Sequence, residues 1–240
     1  MIRPRLACLL WAALCAASVA IGRAAEELAT TTPVSKSDDF WQRRFEKIND
    51  RANQGDVDLI FIGDSITEGW EGEPGKDIWQ KFYGSRKAMN AGIGGDRTQH
   101  VLWRLDNGNI DGIKPKLAVV MIGTNNSGGD SPDDIAAGIT SIVEKLRSKL
   151  PATKILLLGI FPRGENNDDA KRQVNLATNK IIKGLGDGKS VFYLDISDKF
   201  LQGDGTLPRE IMPDLLHLSK QGYEIWAESI EPKVSELLGE

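Results

Sequence analysis

Short, continuous apolar runs alternate along this chain with longer stretches in which apolar residues recur at helical spacing. A continuous run of apolar, often β-branched residues is typical of a strand that is buried on both faces, as in a parallel sheet. Five predicted strands cover residues 59–62, 87–93, 116–122, 154–161 and 190–196, and those at 59–62 and 116–122 are the most fully apolar. The alternation predicts an α/β fold with a five-stranded parallel sheet, helices on both faces and right-handed crossovers.

The helical stretches carry their own start and stop signals. Ser131 precedes Pro132 and an acidic first turn, which is the pattern of a capped helix start, and Pro151 ends the same stretch. Ser219 is the expected cap of the last helix. The first helix begins at Asp38 or Asp39, and the predicted helices cover residues 38–52, 77–83, 100–105, 131–150, 169–185 and 219–238.

The first 25 residues have the pattern of a secretory signal peptide. Arg3 and Arg5 precede an apolar run at 6–20 that is too short to cross a bilayer, and small residues follow it. We therefore expect a secreted or periplasmic protein without stable membrane insertion, with an uncleaved anchor and a lipidated cysteine as the alternatives. Residues 26–37 are polar and predict a flexible leader, which leaves residues 38–240 as a single domain.

Charge and cysteine content narrow the classes of partner. The formal charge is −4, and removal of residues 1–25, which hold three arginines and no acid, changes it to −7. An acidic chain without a basic stripe argues against nucleic acid and anionic membrane surfaces as partners. Both cysteines, Cys8 and Cys15, lie in the predicted signal peptide, so the mature fold depends on its core without a disulfide.

Ser65 is the first candidate for chemistry. It follows the apolar run at 59–62 and the small turn residue Gly63, beyond the expected carboxyl end of a central strand. Open α/β sheets place their ligands at this edge, so the hydroxyl is a candidate nucleophile. The alternative is that Ser65 only caps the next helix. The segment is not a G-x-S-x-G elbow, because Thr67 stands where that pattern needs glycine.

A serine nucleophile needs a base, and the chain has two histidines, His100 and His217. His100 lies inside an apolar helix pattern, which favours a structural role. His217 lies three residues after Asp214 in a polar loop at 197–218, and loops of this length are usually functional. One tight turn can place the two side chains side by side, so we expect His217 as the base and Asp214 as its partner.

No cofactor and no metal are expected. The segment GIGGD at 92–96 lacks the G-x-G-x-x-G spacing of a dinucleotide site and does not follow the first strand. No cluster of histidine and cysteine in the sequence has metal-ligand spacing. The chemistry is therefore expected to depend on side chains and backbone groups alone.

Several blocks of sequence carry a resemblance to a known family. They read GDSITEGW at 63–70, GIGGD at 92–96, HVLWRL at 100–105, GTNN at 123–126, FPRGE at 161–165 and HL at 217–218. These blocks resemble the SGNH (GDSL-type) hydrolases, most strongly the catalytic subunits of the intracellular platelet-activating-factor acetylhydrolase. The resemblance extends over residues 57–230. It implies a three-layer, flavodoxin-like sheet of order 2-1-3-4-5 and supports Ser65, Asp214 and His217 as the catalytic residues.

The resemblance also assigns an oxyanion hole. Its donors are the backbone N–H groups of Ser65 and Gly95 and the side-chain amide of Asn125, for which an Asx turn is the alternative reading. Gly95 lets the backbone approach a substrate, and Asn125 offers a neutral donor. Asp64 and Thr124 are the expected substrate-binding residues, and Asp64 is also expected to organise the turn by hydrogen bonding.

The expected function is a secreted serine esterase that removes small acyl groups, above all acetyl, through an acyl-enzyme. Export favours O-acetylated carbohydrates as the substrate. Thr67 and Glu68 favour them too, because the related lipid enzymes have apolar residues just after the nucleophile. Trp70 is either a stacking face for a sugar or a core residue. The alternatives are a phospholipid acetylhydrolase or lysophospholipase and, in another class, an inactive carbohydrate-binding protein. The expected partner is a small-molecule or glycan ester, and a homodimer is left open.

Overall fold

A five-stranded parallel sheet forms the centre of the protein, in a computed structural model that describes residues 28–240. The strand order is β2-β1-β3-β4-β5, and every neighbouring pair is parallel. The strands are β1 (Leu59–Gly63), β2 (Ala88–Gly92), β3 (Leu117–Met121), β4 (Lys154–Leu158) and β5 (Val191–Leu194). The predicted α/β class, strand number and order 2-1-3-4-5 are confirmed.

Seven α-helices connect and cover these strands within the described residues. They are α1 (Asp39–Asn53), α2 (Ser65–Glu68), α3 (Lys76–Tyr83), α4 (Thr98–Asp106), α5 (Pro132–Lys149), α6 (Ala170–Ile182) and α7 (Lys220–Leu238). The predicted caps are present, since Asp38, Ser131 and Ser219 each accept a backbone N–H from the first turn of their helix. The short helix α2, immediately after β1, is the element that carries Ser65.

Each face of the sheet has its own apolar layer. Alternate residues of a strand point to opposite faces, so Ile60 and Ile62 pack with α1, α4, α5 and α6, while Leu59 and Phe61 pack with α3 and α7. All five residues of β1 are buried, as are all five of β3. The register pairs Gly63 of β1 with Gly92 of β2, so the ends of these strands lie at one edge of the sheet.

The predicted signal peptide at 1–25 lies outside the described residues. From residue 28 on, the segment predicted as a flexible leader makes specific contacts with the domain. Thr30 is buried, donates through its hydroxyl to the carbonyl of Asp134 at 2.7 Å and accepts from the hydroxyl of Thr98 at 2.8 Å. The backbone N–H of Val34 donates to the carbonyl of Gln99 at 3.2 Å. This strap, residues 28–37, is thus fixed against α4 and α5.

Among residues 28–240, no helix combines the length and the apolar character that crossing a bilayer requires. The longest helix, α7, has 19 residues, but it mixes apolar residues with charged ones such as Glu228 and Lys233. Its apolar side, which includes Trp226 and Ile230, packs on the sheet. The apolar side chains of α7 are therefore buried in the core of the domain.

Candidate active site

Ser65 is the first residue of α2 and lies directly beyond the end of β1. It does not cap this helix. The cap is Asp64, whose Oδ1 accepts the backbone N–H of Ile66 at 3.0 Å. The hydroxyl of Ser65 is therefore free for another partner, and the alternative reading of Ser65 as a helix cap does not describe the structure.

The partner of Ser65 is His217, which lies 152 positions later in the chain. Ser65 Oγ lies 2.9 Å from Nε2 of His217, and Nδ1 of the same ring lies 2.6 Å from Oδ2 of Asp214. The structure thus brings the three predicted catalytic residues into one hydrogen-bonded chain. When Nδ1 carries the ring proton and donates a hydrogen bond to the carboxylate of Asp214, Nε2 is left as an acceptor for the hydroxyl of Ser65.

A tight turn of the backbone positions Asp214 beside His217. Oδ1 of Asp214 accepts the backbone N–H groups of Leu216 at 3.0 Å and His217 at 2.7 Å, and Leu215, directly after Asp214, has a positive φ of 62°. Partial burial raises the pKa of Asp214, but the hydrogen bonds from His217 outweigh burial and leave this pKa below its ordinary value. The carboxylate therefore stays ionised and keeps the imidazole oriented.

The three expected oxyanion donors lie at the same edge of the sheet, Ser65 at the start of α2 and Gly95 and Asn125 on loops. Gly95 is exposed, with a positive φ of 71°, and the N–H groups of Ser65 and Gly95 have no acceptor within residues 28–240. The amide of Asn125 donates to the carbonyl of Asp96 at 2.9 Å. Since a side-chain amide has two N–H bonds, one remains for another acceptor.

A buried ion pair holds the loop that carries Gly95. Arg104 donates from Nε to Oδ2 of Asp96 at 2.8 Å and from Nη2 to the carbonyl of Gly63 at 2.9 Å. Trp41 donates from its indole N–H to the other carboxylate oxygen of Asp96 at 2.6 Å. This network ties the loop to the end of β1. The sequence did not predict this network, although the charged residue Arg104 inside the apolar pattern of α4 was a usable signal.

Two residues expected to bind substrate, Asp64 and Thr124, are buried instead, with exposed fractions of 0% and 1%. The hydroxyl of Thr124 accepts from Arg163 at 3.2 Å, and its carbonyl accepts from the same guanidinium at 3.0 Å. Both residues follow central strands, where neighbouring elements cover them. Both residues therefore make hydrogen bonds that organise the turns of the protein itself, and a contact of either with substrate stays a prediction.

Burial also changes the acid–base behaviour of Asp64. Desolvation raises its pKa from 3.8 to about 7, while the N–H of Ile66 and the charge on His217 oppose this shift. The oxygen Oδ2 has no hydrogen-bond partner among the described residues. Asp64 therefore loses its proton only near neutral pH, directly beside Ser65.

The segment after Ser65 is used for packing. Thr67 and Trp70 are buried, and Trp70 lies in an aromatic cluster with Phe61 and Trp226. Glu68 accepts the backbone N–H of Gly94 at 2.7 Å. Trp70 is thus a core residue and not a stacking face. The polar side chains of Thr67 and Glu68 are accounted for inside the protein, since Thr67 is buried and Glu68 binds the backbone of Gly94.

His100 takes a structural position. Its Nδ1 accepts the backbone N–H of Arg97 at 3.0 Å, which closes the start of α4. Burial, assisted by the charge of Lys36, lowers the pKa of His100 from 6.5 to about 4. Nδ1 is therefore unprotonated near neutral pH and keeps its role as an acceptor.

The described residues contain no group of three or more His, Cys, Asp or Glu side chains arranged to hold a metal ion. The polar groups gathered at the edge of the sheet are a hydroxyl, an imidazole, a carboxylate and several N–H donors. This set can transfer an acyl group from an ester to Ser65. It supplies a nucleophile, an acceptor for its proton and donors for a developing negative charge.

The chain is similar to known ester hydrolases along most of its length. The sequence profile of the GDSL-like lipase/acylhydrolase family matches residues 61–225. The platelet-activating factor acetylhydrolase IB subunit alpha2 of Homo sapiens is 35% identical over 222 residues, which cover 92% of this chain and 92% of that protein.

Two solved structures share the fold. One is a GDSL-like lipase from Bacteroides thetaiotaomicron, with a TM-score of 0.63 at 19% identity over 81% of this chain and 97% of that one. The other is a catalytic mutant of an acetylxylan esterase from Geobacillus stearothermophilus, with a TM-score of 0.59 at 20% identity over 75% and 93%. At these identities the two structures bear on the fold alone.

Proposed function

The chain belongs to the GDSL-like lipase/acylhydrolase family and is a carboxylic ester hydrolase, and from this premise we propose a specific reaction. The protein is a secreted serine esterase that removes acetyl groups from O-acetylated carbohydrates. The observation that carries the proposal is the hydrogen-bonded chain from Ser65 through His217 to Asp214.

In the proposed mechanism, Ser65 Oγ attacks the ester carbonyl while Nε2 of His217 takes the hydroxyl proton. Asp214 stabilises the imidazolium that forms. The bond between the carbonyl carbon and the leaving oxygen then breaks, and His217 returns the proton to the departing alcohol. A water molecule next attacks the acetyl carbon on Ser65 while His217 takes its proton. The bond between this carbon and Ser65 Oγ then breaks, His217 returns the proton to Oγ, and acetate leaves.

Negative charge develops on the carbonyl oxygen in both steps. The N–H groups of Ser65 and Gly95 and the free N–H of Asn125 are the proposed donors for this oxygen. One donor of this kind is typically worth about 3 kcal/mol of transition-state stabilisation. Because the donors are held by the buried pair of Asp96 and Arg104, they need little reorganisation during the reaction.

The choice of carbohydrate rests on export and on the openness of the site. The signal-peptide pattern at 1–25 directs the protein to a compartment where acetylated polysaccharides occur. The side chains of His217 and Asp214 are 46% and 57% exposed, so a bulky acceptor can extend away from the reacting ester into solvent. An exposed site of this kind suits a polymer that carries small acyl groups.

A second candidate is an ester of an acetylated phospholipid. The platelet-activating factor acetylhydrolase subunit is similar along 92% of this chain. The ring of Phe40 is 52% exposed, and a β-carbon placed on Gly94 would lie 3.3 Å from it, so an apolar surface adjoins the loop of Gly95. Such a surface favours a substrate with an apolar part.

A substrate panel separates these candidates. Acetylated xylan, O-acetylated sialic acid and an acetyl phospholipid are compared under one set of conditions, with Ser65→Ala as the blank. The proposal expects acetate release to be fastest from a carbohydrate, and a preference for the phospholipid would establish the second candidate. If p-nitrophenyl acetate is not hydrolysed either, the protein belongs to the non-catalytic class.

Export is tested separately by expressing the full chain in a bacterium with a C-terminal tag. Fractionation and N-terminal sequencing should place a protein shortened by 20 to 25 residues outside the cytoplasm, since Ala20, Ala24 and Ala25 are the candidate cleavage points. A full-length protein in the cytoplasm would refute the proposed location without affecting the esterase assignment.

A further inference from the structure

The strap that precedes α1 brings a cation to the proposed oxyanion loop. Nζ of Lys36 donates to the carbonyl oxygen of Gly94 at 3.3 Å and lies 3.9 Å from Oδ1 of Asp96. A β-carbon placed on Gly95 would lie 3.1 Å from the same nitrogen. The ammonium group therefore covers the loop at the point where Gly95 exposes its backbone.

The carbonyl oxygen of Gly94 and the N–H of Gly95 belong to one peptide unit. A cation that binds the oxygen end of a peptide draws electron density toward it, and this makes the N–H at the other end a stronger donor. We propose that Lys36 is a positioning residue that strengthens the Gly95 N–H as an oxyanion donor. This inference rests on the proposed function, because it requires Gly95 to bind the oxyanion.

Hydrogen bonds at Lys36 and at Val34 hold this part of the strap in position. The side chain of Gln42 donates to the carbonyl oxygen of Lys36, and the backbone N–H of Val34 donates to the carbonyl of Gln99. The side chain of Lys36 is only 23% exposed. Its position is therefore set by the fold, and water screens its charge less than that of a free surface lysine.

The charge of Lys36 is not neutralised by a close ion pair, since its distance to Asp96 is long. Asp96, which lies 3.9 Å away, already accepts from Arg104 at 2.8 Å and from Trp41 at 2.6 Å. The shorter contact of the ammonium is the one to the peptide oxygen of Gly94. The polarising effect is thus directed at the peptide that carries the proposed donor.

A purely structural role for Lys36 predicts a different outcome from an electrostatic one. If Lys36 only tethers the strap, its loss lowers thermal stability and leaves kcat of the folded protein unchanged. If it polarises the peptide, its loss lowers kcat and leaves KM nearly unchanged, because the effect acts on a charge that exists only in the transition state.

The test compares Lys36→Met, Lys36→Gln and Lys36→Arg with Lys116→Met in the full mature protein. Lys116 precedes β3 at the opposite edge of the sheet and pairs with Asp58 at 3.4 Å, so it serves as the matched control. The assays measure kcat and KM with p-nitrophenyl acetate, the melting temperature, and the affinity for a boronic acid that forms an anionic tetrahedral adduct on Ser65.

The proposal expects kcat of Lys36→Met to fall about tenfold, which is less than the roughly 10²-fold or greater loss for a whole donor. Boronate affinity falls by a similar factor, KM changes less than twofold, and Lys36→Arg restores most of the loss. Lys36→Gln keeps a donor without the charge and gives the same result if Lys36→Met does not fold. The control Lys116→Met keeps wild-type kcat.

Wild-type kcat and boronate affinity in Lys36→Met or Lys36→Gln would overturn the proposal, as would a loss seen only in the melting temperature. The proposed function fails by a different result, which is activity in Ser65→Ala. An inactive Ser65→Ala protein together with fully active Lys36 variants would reject the role of Lys36 alone.

Discussion

Arg172 donates a hydrogen bond from its guanidinium to the carbonyl oxygen of Gly164 at a distance of 2.5 Å. The backbone N–H of Gly164 donates in turn to the carbonyl oxygen of Leu215 at 2.9 Å, and Leu215 lies in the turn between Asp214 and His217. Arg172, a residue of α6 that is 1% exposed, is thus connected through the backbone of Gly164 to the turn that orients the proposed base.

Replacement of Arg172 by Met should weaken both the fold and the activity. The guanidinium also donates to the carbonyls of Arg163 at 2.6 Å and Gly205 at 2.7 Å, so its loss leaves several acceptors without a donor. We expect the free energy of unfolding to fall by about 2–4 kcal/mol. We also expect kcat of the folded protein to fall, because the turn at Leu215 loses its support.

Urea unfolding and steady-state kinetics on the same preparation measure both effects. The exposed neighbour Lys171, replaced by Met, is the matched control and should behave as wild type in both measurements. An Arg172→Met protein with reduced stability but unchanged kcat would show that the connection to Leu215 does not affect the base.

Ser65→Ala should remove esterase activity and leave the melting temperature nearly unchanged. The hydroxyl contacts His217 at the surface and makes no contribution to either apolar layer. Hydrolysis of p-nitrophenyl acetate and thermal unfolding measure the two properties. Turnover at more than a trace of the wild-type rate would show that another residue is the nucleophile, although oxyanion donors alone allow a small residual rate.

The two histidines should respond in opposite ways to replacement by Ala. His217→Ala should abolish activity at little cost in stability, whereas His100→Ala should cost about 1 kcal/mol, the value of a helix cap, with activity kept in the folded protein. The reverse pattern would make His100 the base.

The lowered pKa of His100 should make the stability of the protein depend on pH. Since burial lowers its pKa from 6.5 to about 4, the unfolded state binds more protons than the native state between these values. Its contribution to stability is therefore complete above pH 6.5 and is lost as the pH falls toward 4. His100→Gln should flatten this limb of the melting temperature against pH, and an unchanged limb would contradict the assignment.

The raised pKa of Asp64 should change the free energy of unfolding with pH in the opposite direction. Burial raises its pKa from 3.8 to about 7, so the native state holds a proton that the unfolded state releases in this window. Its contribution to the free energy of unfolding is therefore present in acid and falls as the pH rises toward 7, at about 1.4 kcal/mol per unit of pKa difference. Asp64→Asn cannot ionise, so its stability relative to wild type should rise from pH 4 to pH 8. A constant difference across that range would show that Asp64 does not titrate there.

The acyl group should be small. Hydrolysis of p-nitrophenyl acetate should exceed that of the butyrate and the octanoate in kcat/KM, because we expect the loops of Gly95 and Asn125 to converge on the acyl carbonyl and leave little room beyond it. These three esters, compared from pH 5 to 9, provide the measurement. Faster turnover of the octanoate would move the protein toward the lipases.

Much of the fold was readable from the sequence because the signals are local. The apolar run of β1 marks a strand buried on both faces, and Ser131 marks a helix start through a hydrogen bond that spans three residues. The strand order needed the family resemblance, since no local pattern states which strands are neighbours. For the site, the short spacing of Asp214 and His217 was informative, because one turn determines their contact.

The sequence by itself thus determined the class of fold, the strand count and the candidates Ser65, Asp214 and His217. Only the tertiary structure decided that Asp64 and Thr124 are buried, that Arg104 and Arg172 hold the loops, and that the strap places Lys36 on the peptide of Gly95. The reason is physical: these contacts join residues far apart in the chain, and each depends on how helices and loops pack around the sheet, which no pattern of neighbouring residues records.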